Sequence, residues 1–301
     1  MKHYSVLLKE SIDMLNIKTN GIYVDATLGA GGHSEEILKK LDGTGHLFCF
    51  DQDIKAIDLS QERLKDYPNV TFINANFANI KLKLLEYNIE KIDGIIFDLG
   101  LSSMQIDDAN RGFSYMHDAV LDMRMNERQT IRALDVVNEY SYDELIKIFF
   151  EYGEEKNARA IANNIIKNRP ILRTSELVKI TDKVNFTTKG HSAKRVFQAL
   201  RIYVNDEINV LVKAVNDAIN LLNINGVIAC ITFHSLEDKI IKQTYKKYTT
   251  DTTPKNLPIK NVIMPLKLIN NKPIYPTENE LLNNSRSRSA KLRGAIKQNN
   301  G

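Results

Sequence analysis

The stretch Gly21-Ile22-Tyr23-Val24-Asp25, followed at once by Ala26-Thr27-Leu28-Gly29-Ala30-Gly31-Gly32-His33-Ser34, joins a short apolar run to a glycine-rich turn. The apolar run reads as a buried strand. Ser34 to Leu41 reads as a helix, with Ile37, Leu38 and Leu41 on its apolar side. A turn of this kind lets the backbone come close to a ligand, and the helix N-terminus presents free N–H groups. Asp51 stands about twenty residues further on, at the end of the next strand, His46 to Phe50, where a carboxylate can accept hydrogen bonds from two ribose hydroxyls. Turn and carboxylate together point to a ligand containing adenosine.

Outward from this unit the alternation continues. A helix is expected over Ala56 to Leu64, a strand over Val70 to Asn74, a helix over Ile80 to Tyr87 and a strand over Gly94 to Phe97. Strands alternating with helices predict an α/β fold with a parallel, doubly wound sheet. From Asp107 to Asn205 helical periods replace the alternation. Ser141 with Glu144 is a capping box, Leu145, Ile148, Phe149 and Tyr152 form one face, and Ala158, Ile161, Ala162 and Ile165 form another. Strand chemistry returns at Val227 to Phe233. The chain is therefore expected to hold a discontinuous α/β domain, residues 1–106 and 206–301, interrupted by an all-helical domain, residues 107–205.

With 301 residues, 43% of them hydrophobic, the composition is that of a folded protein. No apolar run approaches the roughly eighteen residues of a membrane span, and Val6-Leu7-Leu8 is too short for a signal-peptide core, so a cytoplasmic protein is expected. Cys49 and Cys230 lie in apolar, strand-like runs and read as buried thiols, with no metal site implied. The net charge of +4 is unevenly placed: from Lys255 to Gly301 nine Lys or Arg stand against Glu278 and Glu280. That local excess fits a polyanionic partner or a solvated basic tail.

A nicotinamide enzyme would also carry the turn and Asp51. Against it, Asp25, Ala26, Thr27 and Leu28 intervene before the first glycine, and an acidic residue there suits the ammonium of a methionine moiety, which a dinucleotide lacks. A catalytically silent RNA-binding assembly factor would be marked by a broken turn, yet Gly29, Gly31, Gly32 and Asp51 are intact. Amino-group methyltransferases of DNA often show a Pro-Pro motif where this chain has Asp98-Leu99-Gly100-Leu101-Ser102-Ser103.

More specific are the combinations that follow: Phe97 to Gln105 (FDLGLSSMQ), Arg111 to Ser114 (RGFS) and Leu121 to Met125 (LDMRM). HYSVLLKE at His3 to Glu10, YGEE at Tyr152 to Glu155, FHSLED at Phe233 to Asp238 and RSRSAKLR at Arg286 to Arg293 complete the set. Through these motifs the chain resembles the RsmH (MraW) family end to end. The resemblance implies a Rossmann-like class I methyltransferase sheet and methyl transfer from S-adenosylmethionine to the N(4) amino group of a cytosine in the decoding region of 16S ribosomal RNA. It implies cofactor contacts at Gly31, Gly32, His33, Asp51, Phe77, Asp98 and Gln105, and a helical domain that helps recognise RNA on the small ribosomal subunit. Monomer and homodimer both remain open.

The delocalised lone pair of a cytosine amino group makes it a poor nucleophile, which an acceptor holding its N–H would improve. Asp98 is the candidate acceptor, with contact to the cofactor alone as the alternative. His234 is a second catalytic candidate. Ser235 with Asp238 reads as a helix cap, and a hydrogen-bonded structural histidine is the plainer reading of His234. Arg124, Arg286, Arg288, Lys291 and Arg293 suit phosphates, although Arg124 has Asp122 as a possible internal partner. Phe113 and Tyr115 fit either base stacking or core packing.

Overall fold

A computed structural model describes residues 5–102, 104–105, 108–186, 190–251 and 263–299. The chain divides into two compact units, Met1–Gly100 with Ile208–Gly301, and Leu101–Glu207. The boundary expected at Ile106 and Asp107 lies outside the described residues, as do His3, Tyr4, Ser103, Lys255 and Lys260.

The first unit runs α1 (Leu8–Leu15), β1 (Ile22–Asp25), α2 (Gly32–Leu38), β2 (His46–Asp51), α3 (Ile54–Arg63), β3 (Val70–Asn74), α4 (Ile80–Leu85) and β4 (Ile92–Asp98). It resumes with α10 (Glu207–Leu221, counted after the helices of the second unit), β5 (Leu222–Thr232), α11 (Ser235–Thr249), β6 (Leu266–Leu268), α12 (Glu278–Asn283) and β7 (Lys291–Lys297). Among the described residues the sheet has seven strands in the order β3-β2-β1-β4-β5-β7-β6. β1 to β5 pair in parallel, and β7 enters antiparallel to both β5 and β6. This is the class I methyltransferase sheet, and the order reverses between β1 and β4. Ligands of such sheets bind beyond the carboxyl ends of the strands at that point.

Strands covered on both faces must bury every residue, and the alternation sorts them. Val24, Phe48, Phe50, Ile95, Phe97, Ile228 and Cys230 enter a core with α4, α10 and α11. Tyr23, Leu47, Cys49, Ile96, Val227, Ala229 and Ile231 enter a second, with residues of α1, α2 and α3. Both cysteines are buried and unbridged. β6 and β7 were not foreseen, because Lys291, Arg293 and Lys297 made that segment read as a basic tail.

The second unit holds α5 (Ala133–Glu139), α6 (Tyr142–Gly153), α7 (Ala158–Lys167), α8 (Thr174–Val184) and α9 (Lys194–Val204) around one core. The Ser141–Glu144 capping box forms as expected, with the Ser141 N–H and hydroxyl both donating to Glu144. Leu145, Ile148 and Phe149 of α6 and Ala158, Ile161, Ala162 and Ile165 of α7 are buried together. The RGFS and LDMRM motifs serve this core. Arg111 donates to the carbonyls of Arg124 and Met125 at 2.8 and 3.0 Å, while Phe113, Leu121, Met123 and Met125 pack inside.

Candidate functional site

Three aspartates end three neighbouring strands: Asp25 on β1, Asp51 on β2 and Asp98 on β4. The turn between β1 and α2 lies against them. Gly31 takes a left-handed φ of 74°, where a side chain would be strained, and a Cβ on Gly32 would fall 1.9 Å from the Ser5 hydroxyl. The Gly29 N–H donates to Asp51 at 3.0 Å, and the Asp53 N–H donates to the other oxygen at 2.9 Å. From α3, the Ser60 hydroxyl donates to the Gly29 carbonyl at 2.9 Å and Arg63 donates to that of Ala30 at 2.9 Å. Ser60 and Arg63 carry no motif around them and were not foreseen.

Asp25 is used differently from the expectation that it faces an ammonium. It is 1% exposed, and its oxygens accept from the Thr27 N–H at 3.0 Å and the Ser34 hydroxyl at 2.7 Å, so it holds the turn from inside. Burial pushes its carboxyl up to about 6, against the pull of those two donors. Burial likewise raises Asp51 to about 6, with the Asp53 and Gly29 N–H groups opposing.

Asp98 is the exception among the three. Its Oδ1 is buried and, among the described residues, has no hydrogen-bond partner. Its own N–H donates to the Thr27 hydroxyl at 2.6 Å, which fixes the end of β4 against the turn. Oδ2 lies 3.7 Å from His33 Nδ1. His33 is buried, and Nε2 is 3.1 Å from the Val6 carbonyl, which only an N–H can satisfy. Nδ1 therefore turns a lone pair towards Asp98. Burial lowers the imidazole to about 4, so it is neutral and forms no ion pair. Asp98 is pushed well above the ordinary carboxylate range by burial first and then by Asp25, Glu237 and Glu280.

Phe77 opens a 3-10 turn after β3 and meets Phe97 edge-on at 5.7 Å, half-buried. Gln105 belongs to the helical unit, where it exchanges hydrogen bonds with Ser102 at 3.1 and 3.2 Å. His234 caps α11. Its Nδ1 accepts from the Glu237 N–H at 3.4 Å, and Nε2 sits 2.8 Å from the Glu237 carboxylate. The cap is thus His234 with Glu237, one residue earlier than the expected Ser235 with Asp238. Asp238 instead pairs with Arg293 at 2.6 Å and Lys291 at 3.5 Å. Arg124 is engaged with Asp122 at 2.8 Å and with the carbonyls of Glu127 and Gln129, while Arg286 and Arg288 are exposed in a 3-10 turn.

The chain matches the MraW methylase family over residues 1–298. It belongs to that family. Among relatives of this MraW methylase, the ribosomal RNA small subunit methyltransferase H 1 of Acholeplasma laidlawii is 60% identical, covering 99% of this chain and all of the relative. The ribosomal RNA small subunit methyltransferases H of Clostridium botulinum and Ureaplasma urealyticum are 53% and 50% identical, covering 97% and 98% of each chain. The MraW methylase is an S-adenosylmethionine-dependent methyltransferase. Its residues fit that donor: a buried acceptor left open on Asp98, a carboxylate on Asp51 and a turn that admits no side chain stand together where the sheet order reverses. No helix among the described residues is long and apolar enough to cross a membrane.

Proposed function

We propose that this methyltransferase acts on 16S ribosomal RNA of the small subunit, in the cytoplasm, and methylates N(4) of a cytosine in the decoding region. The names of relatives that match it along their full length support the target. The observation that carries the chemistry is the open Oδ1 of Asp98.

S-adenosylmethionine supplies a methyl group on a cationic sulfur, already activated for displacement. What remains for the protein is alignment and charge. Asp51 would hold the ribose hydroxyls, Gly31, Gly32 and His33 would shape the floor, Phe77 would face the adenine, and Gln105 would complete the contacts to the donor. Asp98 offers Oδ1 to an N–H of the target amino group. Oδ1 of Asp98 would then accept the proton that the amino nitrogen gives up on methylation. Neutral His33, with its lone pair towards Oδ2, keeps that carboxylate from being tied up in an ion pair. His234 serves as the cap of α11, just after the end of β5, the strand that pairs with β4. The helical unit acts in substrate recognition, while Arg286 and Arg288 offer exposed guanidinium groups to phosphates. Lys291, Arg293 and Arg124 have internal partners and contribute first to the fold.

Mass spectrometry of small-subunit ribosomal RNA from cells lacking the protein tests this reading. One cytosine should lose a methyl group and regain it on complementation. An unchanged methylation pattern removes the proposed target.

A further inference from the structure

At one end of the helical unit, three loops are stapled by a buried carboxylate. Glu155 is 2% exposed, and its oxygens accept from the Asn157 N–H at 2.9 Å and from the Asn185 side-chain amide at 3.1 Å. The same Asn185 amide donates to the Ser192 carbonyl at 2.9 Å, and the Asn185 oxygen accepts from the Asn157 side chain at 2.8 Å. A buried carboxylate is unfavourable unless donors satisfy it. Here those donors join the α6–α7 turn, Asn185 just after α8 and the entry to α9 at one place.

That order presents an unusual surface. Phe186, next to the buried Asn185, is 80% exposed. Lys156, Arg159, Lys194 and Arg195 are exposed on the joined segments. Arg195 donates to the Glu154 carbonyl at 3.2 Å, which ties the start of α9 to the α6–α7 turn. Among the described residues none of the four cations forms an ion pair. Of the neighbouring acids, Asp182 accepts from the Ser192 hydroxyl, while Glu151 and Glu154 are exposed. With the exposed Lys183, five cations stand against these three acids and the buried Glu155, and Asn185 beside the exposed ring is held by its bonds to Glu155 and Ser192.

We infer that this end of the helical unit is a docking surface for single-stranded RNA, with Lys156, Arg159, Lys194 and Arg195 on phosphates and Phe186 stacked on a base. The inference rests on the RNA substrate proposed above. Cations that track a backbone beside a lone aromatic platform are the combination that binds unpaired nucleotides with little sequence preference. An acidic peptide would use the cations but leave the ring without a flat partner.

The test titrates the full-length protein with a single-stranded RNA covering the proposed target region, at several salt concentrations. In the variant Lys156→Glu, Arg159→Glu, Lys194→Glu, Arg195→Glu the log–log salt slope should fall by roughly 2–3, at about 0.7 for each phosphate no longer neutralised. Phe186→Ala should weaken binding roughly fivefold or more and leave the slope unchanged. Affinity for S-adenosylhomocysteine should not move in either variant. Because four reversals together can disturb folding, the neutral variant Lys156→Gln, Lys194→Gln is measured alongside and should lower the slope by about 1.4. An unchanged slope in the folded variants, with RNA bound as tightly as by wild type, overturns the docking surface and leaves the enzyme's target intact. Wild-type protein that binds no RNA at all overturns the substrate reading itself.

Discussion

Asp98 combines two properties that rarely coexist, a buried oxygen with no partner and a carboxyl whose acidity burial and three nearby acids have weakened. In the cofactor-free protein it holds its proton above the ordinary carboxylate range, and charging it costs folding free energy. Its sign is that of a raised acid: the stability it contributes is present at low pH and is lost as pH rises through the shifted value. A cationic ligand reverses the balance by stabilising the anion. Binding of S-adenosylmethionine should therefore release up to one proton, and affinity should rise with pH until Asp98 is ionised in the free protein. Calorimetry in mildly acidic buffers of different ionisation enthalpy reads this directly. In Asp98→Asn the component of proton release due to Asp98 should vanish; equal release in wild type and variant would assign the proton elsewhere. Asp98 was legible in the sequence by its position at a strand end. Its open oxygen was not, because its surroundings combine Thr27 and His33 of the glycine turn with Glu237 and Glu280 from far along the chain.

Among the elements, β7 shows how a charge cluster can conceal a strand. Lys291 and Arg293 alternate with buried Leu292 and Gly294, a period of two that the count of basic residues obscures. Their heads reach Asp238 on α11 and pin that helix to the sheet. Burial pushes the Asp238 carboxyl up, but Arg293 and Lys291 outweigh it, and the net shift is downward. The stability from this cluster is present above the ordinary carboxylate range and is lost as pH falls through the lowered value. Arg293→Ala should cost roughly 2 kcal/mol or more in denaturant unfolding, since a half-buried carboxylate loses its closest partner. Asp238→Ala in that background should cost little further. A variant as stable as wild type would reassign Arg293 to the surface. By contrast β1 to β4 were readable almost to the residue, because β1, β2 and β4 are buried apolar runs and the edge strand β3 is marked by β-branched and aromatic residues, Val70-Thr71-Phe72-Ile73. The cap of α11 was misread by one position: sequence offered Ser235 the usual hydroxyl role, but a histidine lone pair took it.

On the scale of the whole molecule, the helical unit has its own buried core, running from Phe113 to Val204. Its helices pack against one another within residues 133–204, whereas β4 and β5 pair across more than a hundred intervening residues, Asp98 with Ile231 for example. Residues 101–207 alone should therefore fold, giving a helical circular-dichroism spectrum and a cooperative thermal transition. A spectrum without helix, or a melt without a transition, would show that this core depends on the rest of the chain. The helical character of this stretch was plain from its periodicity. Which of its surfaces matter was hidden, because exposure of Phe186 follows from the burial of Glu155 and Asn185.

The connection between β4 and α10 departs from the strand that carries Asp98, and it carries a self-contained body where a loop of a few residues would suffice. That arrangement makes the enzyme modular. The glycine turn, Asp51 and β4 all lie in the other unit, so on the proposed division of labour recognition and methyl transfer can vary separately. For an engineer, an exchange of the insertion that begins after Gln105 keeps every proposed contact to the methyl donor on the original chain.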